Sequence, residues 1–192
     1  MKSIIFILFS FLMLSCNSEN NDGIAQANDY DKYLVPNSTN TTSKYFELWN
    51  KKIRPDSMQL TSFGIVGGEY NRYFKETGDI TFLKKSEQSL KRAVAIAAIG
   101  KESYLRALAR NYISQHRFRE ALDMAEQAKV LGGGMKDSQS LLFDIHMELG
   151  NYTIAEQYLD SIKNMSDFGY LIRLSKWNDY KGDLDTTIAF ME

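Results

Sequence analysis

Proline is almost missing: only Pro36 and Pro55 interrupt the chain, and none follows residue 55. A long proline-free stretch rich in Ala, Leu, Glu, Lys and Gln favours helix over sheet. Cysteine is scarcer still, and the single Cys16 cannot close an internal disulfide. An excess of one charge is also lacking, since 23 Lys and Arg stand against 24 Asp and Glu for a net charge of −1. Phosphate contacts need a basic excess, so no nucleic-acid partner is expected. The two histidines, His116 and His146, lie far apart in sequence and no closely spaced Cys/His set accompanies them. No metal site and no cofactor are therefore expected. The apolar run from Ile4 to Leu14 falls short of the roughly 20 residues that cross a bilayer.

What the chain does have is an ordinary apolar fraction, 44% of 192 residues, enough for one domain with a tail. Its start, "MKSIIFILFSFLMLSC", joins a lysine-led opening, the short apolar run, Ser15 and Cys16. That is the anatomy of a cleaved export signal. The ending Leu12-Met13-Leu14-Ser15-Cys16 resembles the lipobox of bacterial lipoproteins. The resemblance implies a signal over 1–15, removed before Cys16, and acylation of Cys16 as a membrane anchor. Each buried methylene contributes about 0.8 kcal/mol, so several acyl chains hold where one does not. Residues 16–43 are polar and rich in Asn, Ser and Thr, and read as a flexible tether. Asn17 resembles the residue following the cysteine in outer-membrane lipoproteins, which implies the cell envelope and its outer membrane. Glu19 and Asp22 resemble the acidic surface-export signals of Bacteroidetes lipoproteins.

Downstream, a short pattern recurs. Gly150-Asn151-Tyr152-x-x-Ala155 is echoed by Gly182-Asp183-Leu184-x-x-Thr187, by Gly78-Asp79-Ile80-x-x-Leu83 and by His116-Arg117-Phe118-x-x-Ala121. The step from His116 to Gly150 is 150 − 116 = 34 residues. A residue closing a helix often needs positive φ, which glycine reaches without strain and histidine tolerates better than most. Asp79, Asn151 and Asp183 are placed to cap the helices that follow. Ile80, Phe118, Tyr152 and Leu184 should then put an apolar group where two helices meet. A small residue three positions later lets the backbones approach, with Leu83 the departure. Leu105, Leu108, Ala109 and Tyr112 lie on one helix face before the turn, and Phe118, Ala121, Leu122, Ala125 and Ala128 on one face after it.

The unit from Glu102 to about Met135 resembles a tetratricopeptide repeat through Leu108, Ala109, Tyr112, Phe118, Ala121, Ala125 and Ala128. The usual proline near its end is replaced by Gly132-Gly133-Gly134. The next unit keeps Leu142, Gly150, Tyr152, Ala155 and Ile162 but has Phe143 where a small residue is expected. The resemblance implies an all-α fold, a right-handed solenoid of antiparallel helix hairpins over 64–192. Ahead of it, residues 44–63 form a leading helical segment, with a short helix ending before Pro55. The last helix, starting near Asp185, is short for a capping helix, so the natural protein is expected to continue past residue 192.

No catalytic constellation emerges, and an enzyme is not expected. "LGGGMKDS" lacks the spacing of a phosphate loop, and Gly64, Gly67 and Gly68 read as close-packing positions on a helix. Glu120, Asp123 and Glu126 belong to solvated helix faces. In tetratricopeptide arrays the first helix of each pair lines a groove for peptides or partner helices. That resemblance selects Arg72, Lys75, Ser103, Arg106, Arg110, Ser114, Asp144, Met147 and Glu148 as candidate groove residues, basic at one end and acidic at the other. The expected function is a membrane-anchored scaffold, tied down through acylated Cys16, that binds an unidentified protein or peptide. The alternatives are a structural subunit of an envelope assembly or export machine, or the support region of a nutrient-uptake lipoprotein.

Overall fold

A computed structural model describes residues 43–54, 56 and 58–191. The signal at 1–15, Cys16 and the tether up to residue 42 lie outside the described residues. The chain is helical throughout this range: α1 (Lys44–Asn50), α2 (Leu60–Thr77), α3 (Ile80–Ile96), α4 (Lys101–Ser114), α5 (Phe118–Leu131), α6 (Met135–Glu148), α7 (Tyr152–Ser161), α8 (Phe168–Tyr180) and α9 (Leu184–Met191). Among the described residues there is no strand, and no helix is long and apolar enough to cross a membrane. The first repeat helix begins at Leu60, so the boundary read at residue 63 falls inside α2.

Helices α2 to α9 pair as four consecutive hairpins, α2/α3, α4/α5, α6/α7 and α8/α9. The turn within each hairpin is set by a left-handed residue: Gly78 (φ 71°), His116 (φ 55°), Gly150 (φ 74°) and Gly182 (φ 81°). Asp79 caps α3 by accepting from the Thr81 amide at 2.8 Å, and Asp183 accepts from the Thr186 amide at 3.2 Å. Asn151 does not cap α7. Its side-chain amide turns back to the His146 ring instead.

The apolar residues after these turns also depart from expectation. Ile80 and Leu184 are 59% and 57% exposed, and Tyr152 is drawn sideways into a stack on Tyr180 with ring centroids 3.9 Å apart. Burial falls instead on the residue three positions later, since Leu83, Ala121 and Ala155 are almost wholly enclosed. A helix hairpin is closed by the row facing its partner, and the first residue after the turn lies at the rim of that contact.

Two core clusters run through the array. One joins Leu90, Leu108, Ala109, Tyr112, Ala121, Ala125 and Leu142 across α3 to α6. The other gathers Phe143, Met147, Ala155, Leu159, Tyr170 and Trp177 from α6, α7 and α8. Phe143 stands where Ala109 stands one unit earlier, and its ring is completely buried. The bulky ring thus enlarges the core between hairpins instead of separating them.

At the other end, α1 is pinned on α2. Phe46 meets Tyr70 and Tyr73 edge-on, and the Ser43 amide donates to the Tyr73 hydroxyl at 2.8 Å. Gly67 allows α2 and α3 to approach, because a Cβ there would lie 2.8 Å from Leu90 Cγ. Ser86 and Ser89 of α3 donate to the Gly67 and Phe63 carbonyls, each at 2.8 Å. Gly64 makes room for Tyr104 of the next hairpin, whereas a Cβ on Gly68 would meet nothing within 4 Å.

Candidate binding groove

The helix contacts define which side of the array is inside. Successive first helices touch one another, α2 with α4, α4 with α6 and α6 with α8. Among the described residues the backbones of the second helices α3, α5, α7 and α9 do not approach one another, and α5 meets α7 through a side chain, Lys129 Nζ donating to the Tyr158 hydroxyl at 3.0 Å. A row whose backbones touch and a row whose backbones do not must curve, with the touching row inside. The fold is that of a tetratricopeptide-repeat solenoid.

Solved structures agree with that assignment. The chain is similar to the crystal structure of MamA, with a TM-score of 0.58 and 16% identity over 76% of this chain and 81% of that one. It is similar to the tetratricopeptide-like repeats of a Podosopora anserina putative kinesin light chain, TM-score 0.57 and 16% identity, covering 76% of this chain and 78% of the other. Pseudomonas aeruginosa PilF matches with a TM-score of 0.57 and 16% identity over 75% of this chain and 63% of its own. No family model matches the sequence, and no curated protein matches it.

The first helices α2, α4 and α6 carry the nine candidate groove residues, and two of the nine are buried. Met147 is 8% exposed and belongs to the core cluster around Phe143. A thioether on an amphipathic helix is drawn to the apolar side whenever space exists there. Arg106 is also only 8% exposed, its guanidinium donating to the Gly133 carbonyl at 2.5 Å and the Ser138 hydroxyl at 3.3 Å. Left-handed Gly134 brings the inter-hairpin turn against this side chain, where a Cβ would lie 2.7 Å from Arg106 Nη2. Arg106 thus clamps α4 to the turn before α6 and does not form a basic pair with Arg110.

The remaining positions are accessible, though most of their charges are already matched. Arg72 binds Glu69 at 2.9 Å and Glu76 at 2.5 Å. Asp144 binds Arg173 at 2.6 Å, and Glu148 binds Lys176 at 2.7 Å. These α8 cations neutralise the acidic end read from the sequence. Arg173 was not singled out there, because it becomes a groove residue only when α8 packs beside α6. Its Nε also donates to the Ser140 carbonyl at 3.2 Å.

Ser103 and Ser114 are exposed, and their hydroxyls donate to the Gly100 and Arg110 carbonyls at 2.7 and 3.2 Å. Lys75 is exposed at the C-terminal end of α2. Arg110 is reached by water yet lies in the hollow between helices. Loss of solvent there lowers its pKa, with Arg106 and Arg173 pushing the same way against Asp137 and Asp144. Burial likewise raises the Asp144 carboxyl pKa despite the Arg173 ion pair.

Among the described residues no group of three or more His, Cys, Asp and Glu could hold a metal ion. A separate depression of about 360 Å³ lies between the start of α4 and the end of α5. It is lined by Lys101, Leu105, Glu126, Gln127, Val130 and Leu131.

His146 occupies the place that Tyr112 holds one repeat earlier (146 − 112 = 34). It is buried, stacks on Tyr158 and leaves Nε2 without a partner. Burial lowers its pKa, with Lys129 adding to the effect and Glu126 opposing it. The unfolded chain therefore binds this proton more readily than the folded one, and stability must fall as pH drops through about 6.5, the ordinary histidine value. Urea unfolding midpoints at pH 7.5 and 5.5 should differ more for the natural chain than for His146→Tyr. Equal differences would show that His146 is not the source.

Proposed function

We propose that the chain is a membrane-anchored scaffold that binds an extended segment of a protein partner along its inner groove. The observation that carries this reading is the continuous inner face from α2 to α8, with open space above Gly68. A groove of that kind offers side chains on several helices to one ligand and needs no reactive group, so the chain is read as non-catalytic. The anchor is read from the lipobox-like ending at Cys16, and the outer membrane of the cell envelope from the resemblance of Asn17 after it.

Two substitutions test the two halves separately. Cys16→Ala should release the protein from membranes into the high-salt wash, and persistence in the membrane fraction would remove the anchor. A Cβ at Gly68 meets nothing within 4 Å, so Gly68→Trp should occupy the groove and abolish partner capture by the membrane-bound protein while leaving its helix content intact. Capture that survives Gly68→Trp would move the binding surface elsewhere.

A second reading, a subunit packed permanently in an envelope assembly, is favoured by exposed apolar side chains at one edge of the array. Ile99 before α4 and Val130 near the end of α5 are 88% and 84% exposed. Binding that resists salt and is lost on Val130→Asp instead of Gly68→Trp would favour it.

A further inference from the structure

The inner groove is lined with charges, but the protein consumes most of them itself. Arg72, Asp144 and Glu148 are held in ion pairs, and Arg106 is tied to the Gly133 carbonyl. Lys136, at the start of α6, is paired with Asp167. Besides Lys75 at the end of α2, two charges remain, both in the middle of the groove. Arg110 on α4 and Asp137 in the first turn of α6 are both exposed, and among the described residues neither enters an ion pair or a side-chain hydrogen bond. They sit on neighbouring inner helices that touch, and the Asp137 charge acts on Arg110 without a bond closing between them.

A guanidinium without a bonded partner, in a hollow that strips away part of its solvent, beside a carboxylate that is equally unbonded, is an open ion pair. Water is an inferior partner there, because the surrounding protein restricts it and the local dielectric strengthens a direct contact. A planar guanidinium accepts a carboxylate through two parallel hydrogen bonds, whereas a carboxylate accepts an ammonium or a guanidinium. The two groups together therefore ask for a ligand of both signs. A purely acidic segment would meet Asp137, and a purely basic one would meet Arg110 with Arg173 close behind.

We infer that the groove selects a protein segment carrying one acidic and one basic side chain close together, the acidic one seated on Arg110 and the basic one on Asp137. This rests on the reading that the groove binds an extended segment, and it specifies the chemistry of that segment. The order of the two charges along the partner is set by the order of α4 and α6, so reversing it should weaken binding. Net attraction between whole molecules has little part in this selection, since the chain itself is almost neutral at −1.

The test uses the soluble full chain with Cys16→Ala and a panel of fluorescein-labelled synthetic peptides of one length in a neutral background. The panel has an acid–base pair, the reversed pair, acid only, base only and no charge, read by fluorescence anisotropy. One ordered pair should bind about tenfold more tightly than the uncharged peptide, with the advantage shrinking at high salt. Arg110→Gln should remove the contribution of the acid, Asp137→Asn that of the base, and Arg119→Gln on α5 should change neither. The exchange Arg110→Asp with Asp137→Arg should reverse the preferred order.

Equal binding of all five peptides, lost on Gly68→Trp but indifferent to Arg110→Gln and Asp137→Asn, would overturn the charge reading and leave the groove standing. Preference for one sign alone would also overturn it. Absence of binding by every peptide would end both.

Discussion

Replacing Phe143 by alanine is expected to destabilise the chain by about 3–5 kcal/mol, a large share of the roughly 5–15 kcal/mol typical of a domain. The ring is fully buried and touches elements of two hairpins, gathered with Ala155 and Leu159 of α7 and Tyr170 and Trp177 of α8. Removing it takes away transfer free energy and leaves a cavity that its neighbours cannot fill. Ala155 is too small to expand, and Tyr170 and Trp177 are fixed in α8. Because each hairpin of a solenoid is stabilised mainly by its neighbours, the loss should concentrate in α6 to α9. Urea unfolding followed by circular dichroism should then show an early phase confined to part of the helix signal. A shift under about 1 kcal/mol would mean that Phe143 fills space without binding the hairpins together.

Glu87 should govern the acid limb of stability. Burial of this α3 carboxyl would raise its pKa, but hydrogen bonds from Lys91, Gln115 and Arg117 outweigh burial and hold it at about 2. The contacts are 2.6 Å to Lys91, 3.1 Å to Gln115 and 3.0 Å to Arg117, the last two reaching across to the turn after α4. A carboxyl with a lowered folded pKa contributes stability that is complete above its ordinary value and is lost as pH falls through the folded one. The relevant window is therefore pH 4.5 down to about 2. Discounted for the partly solvated cations, the linked stabilisation is about 2–3 kcal/mol. Glu87→Gln should show that loss at pH 7 and a flatter decline between pH 4.5 and 2. Parallel pH curves for the two proteins would refute the assignment.

The repeat was legible where one residue type answers one backbone need. Gly78, Gly150 and Gly182 mark positive φ directly, and His116 could be placed among them because its spacing agreed. Leu105, Leu108, Ala109 and Tyr112 announced the core face of α4 by periodicity alone. The groove was less readable. A helical wheel divides residues into faces, but Arg106 and Met147 lie near the border between inner surface and core, and what packs above them decides their fate. For Arg106 that is a glycine turn 27 residues away, and for Met147 the arrival of α8. Arg173 and Glu87 escaped notice for the same reason, since their partners come from other hairpins. Ile80 and Leu184 show the converse: apolar character placed them in a contact whose rim they merely border.

The wide backbone spacing of α3, α5 and α7 has a mechanical corollary. The line of inner helices works as a hinge, while the outer row can fan apart or close up by giving up few side-chain contacts, the Lys129–Tyr158 hydrogen bond between α5 and α7 among them. Such a body is springy in one direction and stiff in others. Its curvature can change at a cost set by the hinge and by those few outer contacts.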